Sequence, residues 1–146
     1  NVYGEKEYFK DKTASMVIQF GHQILAQKTP KLFEQSDKIV RDFIYIEDII
    51  QANIKACEPK KSGIYNVGTG KARSFEDIVN ILQKELDINN GKEYIPNPFI
   101  GQYQFFTQAN IISTKENLGY EPRYELEDGI QAYIPEIKRL YKEEVN

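Results

Sequence analysis

The chain has 146 residues, of which 40% are hydrophobic and 28% charged, and it carries a formal net charge of −3. This length suits one domain, and the balance of apolar and charged residues is typical of a soluble globular chain. The acidic net charge gives no reason to expect nucleic acid as a partner, because a surface that binds phosphates normally shows a basic excess.

The composition also argues against membrane insertion, secretion and metal binding. The apolar runs are far shorter than the ~20 residues of a membrane span, and the N-terminus lacks the apolar core of a signal peptide. The single cysteine, Cys57, cannot form an intrachain disulfide, which predicts a cytoplasmic location. Cys57 follows Ile50 and Ile54 at helical spacing, so we expect it to be a buried small hydrophobe. One Cys and one His exclude a structural zinc site.

The first 25 residues predict a strand, a loop and a helix. Residues 1–4 have the pattern of a buried strand end that runs into a glycine turn. Because the sequence opens there without an initiator methionine, we expect part of the fold to lie outside it. Residues 5–13 are polar and charged, which predicts a loop. Apolar residues between Ala14 and Leu25 then recur at intervals of three and four residues, which predicts a helix.

The middle of the chain predicts further alternation of strands and helices. Asp48 stands where the N-cap of a helix is expected. The predicted elements are strands at 31–33 and 42–46, a helix that ends by Pro59, and a strand at 64–67.

The C-terminal half predicts three helices and one strand. Ser74 and Asp77 approximate a capping box, which opens a helix. The remaining predicted elements are a strand at 93–95, a helix at 109–118 closed by Gly119, and a last helix whose apolar face runs from Leu126 to Tyr141.

This alternation predicts an α/β fold. Only a few short strands are present, however, and no two-layer sheet is complete. The pattern therefore predicts the later part of an α/β protein, in which the last strands of a dinucleotide-type sheet are interleaved with a smaller substrate-binding cap.

The segment Gly68-Thr69-Gly70 invites interpretation as a phosphate-binding loop. The full G-x-G-x-x-G pattern would need glycine at position 73, where the chain has Arg73, and no βαβ unit begins there. We therefore interpret the segment as a tight turn between a strand and a helix.

One arginine and one cluster of lysines each allow two interpretations. Arg41 lies where a loop meets a strand, so it either binds a phosphate or pairs with Asp42 on the surface. Lys6, Lys10 and Lys12 cluster in the loop after the first strand, either as solvated side chains or with one of them transferring protons.

Two aromatic and polar segments are equally ambiguous. Tyr103, within residues 102–108, and Phe33, within residues 33–36, suit either stacking on a sugar nucleotide or simple packing. The residues alone leave both interpretations open.

Taken together, these segments resemble the C-terminal part of the extended short-chain dehydrogenase/reductases, the NAD-dependent epimerase/dehydratase family of nucleotide-sugar enzymes. The matching segments are residues 1–4, residues 41–46 with Asp48, and residues 65–70 with Ser74. A narrower set is similar to the subfamily of ADP-L-glycero-D-manno-heptose 6-epimerases. That set is Lys10 ahead of Ala14 and Ser15, residues 30–34 with Ser36, residues 94–96, 103–104 and 106–109.

The resemblance implies a Rossmann-type extended fold. Residues 1–146 would be its C-terminal, substrate-binding portion, and the N-terminal dinucleotide-binding portion would be absent from this chain. The implied reaction inverts C6 of the heptose of ADP-glycero-manno-heptose through a 6-keto intermediate, with NADP as cofactor, for lipopolysaccharide core biosynthesis. The resemblance also implies a homo-oligomer, commonly a pentamer. This portion alone would be inactive, because the catalytic tyrosine of Y-x-x-x-K would lie upstream.

The site residues of the family transfer by position. Lys10 matches the second acid/base group and, with Val2, contacts the cofactor. The implied substrate contacts are Asn1, Phe33, Glu34, Gln35, Ser36, Arg41 and Tyr103. The chain departs from the pattern at Gln35, where glycine is usual. It departs also at Lys12 and Gln19, where serine and histidine are expected, so those two roles are not transferred.

Two alternatives remain open from the sequence. Another NDP-sugar 4-epimerase or dehydratase of the same superfamily would share most of these motifs. A non-catalytic binding module would instead bind an ADP-sugar without NADP. The residues that distinguish NADP from NAD would lie upstream.

Overall fold

A computed structural model describes residues 1–98, 101 and 104–145. Its strands are β1 (Val2–Tyr3), β2 (Lys31–Phe33), β3 (Val40–Asp42), β4 (Ile44–Tyr45), β5 (Ala72–Ser74) and β6 (Glu93–Ile95). Its α-helices are α1 (Met16–Leu25), α2 (Ile46–Lys55), α3 (Phe75–Leu86), α4 (Ile112–Leu118) and α5 (Leu126–Val145), and a 3-10 helix spans Tyr8–Thr13.

The strands form three short pairs rather than one wide sheet. β1 is parallel to β4, with Val2 opposite Ile44, and β2 is parallel to β6, with Leu32 opposite Tyr94. β3 is antiparallel to β5. Helices connect the paired strands, as parallel pairing requires. The predicted α/β class is confirmed.

The main core lies between α1, α3 and α5. Each helix presents apolar residues at intervals of three and four toward the other two, which is the spacing of a buried helix face. The fully buried side chains there include Ile24, Ile78, Val79, Leu82, Ile130 and Ile137.

The capping box predicted at the start of α3 is confirmed. The Ser74 hydroxyl accepts from the Asp77 N–H at 3.0 Å, and the Asp77 carboxylate accepts from the Ser74 N–H at 3.0 Å. These two bonds satisfy donors that the first turn of a helix otherwise leaves unpaired.

The N-cap predicted at Asp48 is wrong. α2 begins at Ile46, so Asp48 lies inside its first turn, and the side chain is completely buried. Its carboxylate accepts from the backbone N–H groups of Arg123 at 3.0 Å and Tyr124 at 3.1 Å. Asp48 therefore joins α2 to the segment that leads into α5.

Several other sequence predictions need correction. Cys57 is exposed rather than buried, because the face of α2 that it continues is open, with Ile54 67% exposed. Residues 64–67 form no strand, and residues 42–46 contribute to β3, β4 and the start of α2 instead of one strand. The helix predicted from residue 109 begins at Ile112.

Among the described residues, no helix is long and apolar enough to cross a membrane.

Candidate active site

Two neighbouring clefts gather most of the predicted site residues. A cleft of about 350 Å³, called here the lysine cleft, is lined by Asn1, Val2 and Lys10 and by residues at the start of α1. A cleft of about 110 Å³, called here the apolar cleft, is lined by Phe33, Ser36 and mainly apolar side chains. Met16 and Phe75 line both clefts, so the two are adjacent.

Lys10 reaches the lysine cleft from the 3-10 helix that follows β1. Its side chain is exposed, whereas both polar groups of its backbone are held. The Lys10 N–H donates to the Glu7 carbonyl at 3.0 Å, and the Thr13 hydroxyl donates to the Lys10 carbonyl at 2.7 Å. An exposed ammonium on a hydrogen-bonded peptide suits a group that moves protons within one small region.

Asn1 and Val2 lie at the start of β1, beside this lysine. The Ile44 N–H donates to the Asn1 carbonyl at 3.0 Å, so the pairing of β1 with β4 fixes their position. Val2 remains 43% exposed in the cleft. The carboxyl end of β1 follows at Tyr3, and α/β folds present ligand-binding groups at the carboxyl ends of their parallel strands.

Phe33 to Ser36 form a turn at the end of β2. The Ser36 N–H donates to the Phe33 carbonyl at 3.0 Å, while Glu34 and Gln35 are exposed. Ser36 is only 2% exposed, and within the described residues its hydroxyl has no hydrogen-bond partner. Because an unsatisfied buried hydroxyl is costly, this oxygen is suited to a ligand in the apolar cleft.

Gln35 has a backbone φ of 63°, in the left-handed region that favours glycine. This explains physically why glycine is usual at this position in the family that the sequence resembles.

The Gln35→Gly variant is expected to gain up to about 1 kcal/mol of unfolding free energy in urea denaturation, because the side-chain clash is relieved. Gln35→Ala is the matched control. It keeps the Cβ, so it is expected to show no gain, and an equal gain would contradict the explanation.

Arg41 does not line either cleft. The side chain is 8% exposed, and its guanidinium donates to the carbonyl of Val40 at 2.9 Å and to the carbonyl of Gln104. The neighbouring backbone is held as well, since the Val40 N–H donates to the Phe105 carbonyl at 2.8 Å. Arg41 therefore fastens the segment after residue 103 to β3. Tyr103 itself lies outside the described residues.

The Gly68-Thr69-Gly70 turn is occupied by a carboxylate of the protein itself. Asp42 accepts from the backbone N–H groups of Thr69 at 2.8 Å and Gly70 at 2.9 Å. A Cβ on Gly68 would lie 2.6 Å from the Asp42 carboxylate, so glycine is required there. These amides are not available to a phosphate, in agreement with the interpretation as a turn. The turn leads into β5, however, not directly into a helix.

Sequence reasoning missed several residues of the site. Met16 and Phe75 form the wall between the clefts, and Glu7 lines the lysine cleft although it is 3% exposed. Met16 lay inside the first predicted helix, Phe75 followed the predicted cap Ser74, and Glu7 lay in a predicted charged loop. Among the described residues, no group of three or more His, Cys, Asp and Glu side chains is placed to hold a metal ion.

Comparison with known proteins identifies the family of the chain. Residues 1–68 match the NAD dependent epimerase/dehydratase family. An ADP-L-glycero-D-manno-heptose-6-epimerase from Helicobacter pylori is 48% identical, with a TM-score of 0.81 over 94% of this chain and 42% of that one. This match places the chain in the NAD dependent epimerase/dehydratase family. The family resemblance predicted from the sequence is confirmed.

Other family structures have the same fold at lower identity. A UDP-glucuronic acid 4-epimerase from Bacillus cereus, solved with NAD, is 28% identical, with a TM-score of 0.80 over 97% of this chain and 43% of that one. A UDP-glucose 4-epimerase from Thermotoga maritima is 24% identical, with a TM-score of 0.82 over 100% of this chain and 45% of that one. The chain thus spans less than half the length of these epimerases, and its strands and helices match part of their Rossmann-type extended fold.

Proposed function

We propose that this chain is the C-terminal, substrate-binding portion of an ADP-glycero-manno-heptose 6-epimerase. The full-length enzyme converts the D-glycero to the L-glycero epimer at C6, in the cytoplasm, for lipopolysaccharide core biosynthesis. The proposal is supported by the 48% identity to the Helicobacter pylori heptose epimerase, against 28% for the Bacillus cereus enzyme, whose substrate is a UDP sugar.

One observation carries the proposal: the lysine cleft and the apolar cleft adjoin across Met16 and Phe75. A sugar nucleotide is a long ligand with a polar sugar at one end and a flat, largely apolar base at the other. Lys10 and Asn1 suit the sugar end. The aromatic ring of Phe33 suits the nucleotide end, together with the Ser36 hydroxyl, which has no hydrogen-bond partner among the described residues.

Oxidation at C6 would require a base that takes the proton of the C6 hydroxyl as hydride leaves the carbon. Reduction from the opposite face would require an acid that returns a proton to the same oxygen. Lys10 supplies one of the two acid/base groups. The other is the tyrosine of a Y-x-x-x-K helix in the dinucleotide-binding portion. The proposed substrate contacts are Asn1, Phe33, Glu34, Gln35, Ser36 and Tyr103. Arg41 is added by family resemblance alone, since it lines neither cleft and its guanidinium donates to two backbone carbonyls.

The chain also fits one side of a nicotinamide cofactor, NADP by family resemblance. Val2 presents an apolar, 43% exposed side chain beside Lys10 in the lysine cleft, which suits the face of a nicotinamide ring. When bound, this cofactor accepts and returns hydride. Val2 and Lys10 hold and orient its ring end, and the dinucleotide-binding portion holds the rest.

The full-length protein forms a homo-oligomer, a pentamer by family resemblance.

Turnover by the full-length protein tests this function. Purified enzyme is given ADP-D-glycero-manno-heptose, UDP-glucose or UDP-glucuronic acid, and the epimeric products are separated by anion-exchange chromatography. We expect a preference for ADP-heptose of at least about 100-fold in kcat/KM, since recognition of a hydrogen-bonding sugar and base discriminates strongly. A preference for a UDP sugar would instead establish a 4-epimerase of the same family. Binding of ADP-sugar with no turnover of any substrate would establish a non-catalytic binding module.

A further inference from the structure

Glu7 is a buried carboxylate that the proposed chemistry does not use. It is 3% exposed and lies immediately before the 3-10 helix that carries Lys10. Its oxygens accept three hydrogen bonds, from the Ser15 N–H at 2.8 Å, the Ser15 hydroxyl at 2.6 Å and the Tyr133 hydroxyl at 3.0 Å. Glutamate is almost never buried unless its charge is satisfied in this way.

The Ser15 side chain contacts Glu7 instead of capping its own helix. It is the N-cap residue of α1, yet its side chain makes no capping hydrogen bond. An N-cap serine normally accepts from its own helix and stabilises it by about 1 kcal/mol. Here its hydroxyl instead donates to Glu7, so both polar groups of Ser15 that face the carboxylate are used for that link.

The link closes a loop around Lys10. Residues 8–14, called here the Lys10 loop, leave the core at Glu7 and return to it at Ser15, and the Glu7 carboxylate joins these two ends. The Glu7 carbonyl also accepts from the Lys10 N–H, so backbone and side chain of one residue both restrain the loop.

Tyr133 connects this anchor to the core. It lies on α5, its ring is completely buried, and its hydroxyl donates to Glu7. Burial and the neighbouring Glu7 charge both raise the pKa of Tyr133, so the hydroxyl stays protonated and remains a donor. The anchor is therefore held by a rigid helix and not by another loop.

We propose that Glu7 is a positioning residue: it fixes both ends of the Lys10 loop and thereby the place from which Lys10 transfers protons. The inference rests on the proposed function for the role of Lys10, but the anchor itself rests on the geometry alone. A small displacement of a catalytic group lowers turnover steeply. The Lys10 side chain is exposed, so within the described residues its own backbone and the rest of the loop define its position.

The test uses the full-length protein with Glu7→Gln, and with Glu5→Gln as the matched control. Glu5 is two residues away, and it also accepts from a tyrosine hydroxyl, that of Tyr45 at 2.6 Å, but it does not contact Ser15. In Glu7→Gln one carboxylate oxygen becomes an amide NH₂, which is a donor and cannot accept from Ser15. Amide hydrogen exchange in residues 9–14 is expected to accelerate about tenfold, the equivalent of about 1.4 kcal/mol, with exchange in α3 unchanged.

The kinetic measurement separates positioning from simple stabilisation. On the sugar nucleotide that the wild-type protein turns over, Glu7→Gln is expected to lower kcat about 10- to 100-fold with KM unchanged, whereas Glu5→Gln retains the wild-type kcat. If Glu7 only stabilises the fold, exchange rises throughout and kcat per folded molecule stays normal, and the proposal is overturned. Unchanged exchange in the Lys10 loop also overturns it.

Ser15 variants keep the proposal testable if Glu7→Gln does not fold. Ser15→Ala removes only the hydroxyl bond and no helix cap, so kcat is expected to fall about threefold to tenfold. Ser15→Thr retains the hydroxyl and is expected to preserve the rate, and an equal loss in both variants would contradict the anchor. If the wild-type protein turns over a UDP sugar instead of ADP-heptose, the proposed substrate fails while these measurements still decide the role of Glu7.

Discussion

Replacing Lys10 with methionine in the full-length protein is expected to lower the rate of epimerisation by about 10²- to 10⁴-fold, the usual contribution of a general acid/base. Methionine keeps a long unbranched stem and removes the ammonium group. The Lys10 backbone is held by Glu7 and Thr13 and not by its side chain, so the 3-10 helix is expected to keep its shape.

The measurement is single-turnover epimerisation, with the cofactor retained by the purified protein determined in parallel. Lys6→Met is the matched control, because Lys6 is an exposed lysine four residues earlier that does not line the lysine cleft. We expect Lys10→Met to retain its cofactor and lose turnover, and Lys6→Met to keep both. Near-normal turnover of Lys10→Met would exclude Lys10 as an acid/base group. A parallel loss in Lys6→Met would show that the loss reflects the charge of the loop.

The parts of the fold that depend on neighbouring residues were predictable from the sequence. The capping box of Ser74 and Asp77 requires only residues three apart, and it was found where the sequence indicated. The apolar period of α1 was readable for the same reason. Asp48 looked like a cap on local grounds too, but its partners, the amides of Arg123 and Tyr124, lie 75 and 76 residues away. No local pattern contains that information.

The prediction that Cys57 is buried was wrong because, among the described residues, no other element covers that face of the helix. Ile54 and Cys57 follow a helical repeat, and the repeat indicates a face without indicating that anything covers it. Residues 64–67 have the composition of a strand, but a strand exists only when another strand pairs with it. In the described part of the chain β3 pairs with β5, which lies further along the sequence.

The candidate site was predictable only in part. Position in a family pattern brought Asn1, Val2 and Lys10 together, and the structure places all three around one cleft. Their individual roles remain predictions. Glu7 was indistinguishable from the charged residues around it, because its burial depends on Tyr133 of the last helix.

Replacing Asp42 with alanine is expected to lower the free energy of unfolding by at least about 3 kcal/mol. The Asp42 side chain is 6% exposed, and its carboxylate accepts from the backbone N–H groups of Thr69, Gly70 and Ala109 and from the Thr69 hydroxyl. Alanine would leave three partly buried backbone donors without this acceptor. An unsatisfied donor costs about 1–3 kcal/mol when it is buried.

The reason for the large effect is that one carboxylate joins three segments distant in sequence. Asp42 belongs to β3, Thr69 and Gly70 form the turn before β5, and Ala109 leads into α4. The packing is also tight, since Gly68 has no room for a Cβ beside the carboxylate. Without Asp42, the turn loses the anchor that holds β5 in register with β3.

Urea denaturation of the full-length protein measures this effect, and Asp37→Ala is the matched control. Asp37 is exposed, so its removal is expected to change stability by no more than about 0.5 kcal/mol. A lower midpoint with an unchanged slope would indicate a true loss of stability. If Asp42→Ala lost only as much as Asp37→Ala, water would have to satisfy the three amides. The turn would then keep its conformation without the Asp42 carboxylate, and its backbone N–H groups would be available to an anion.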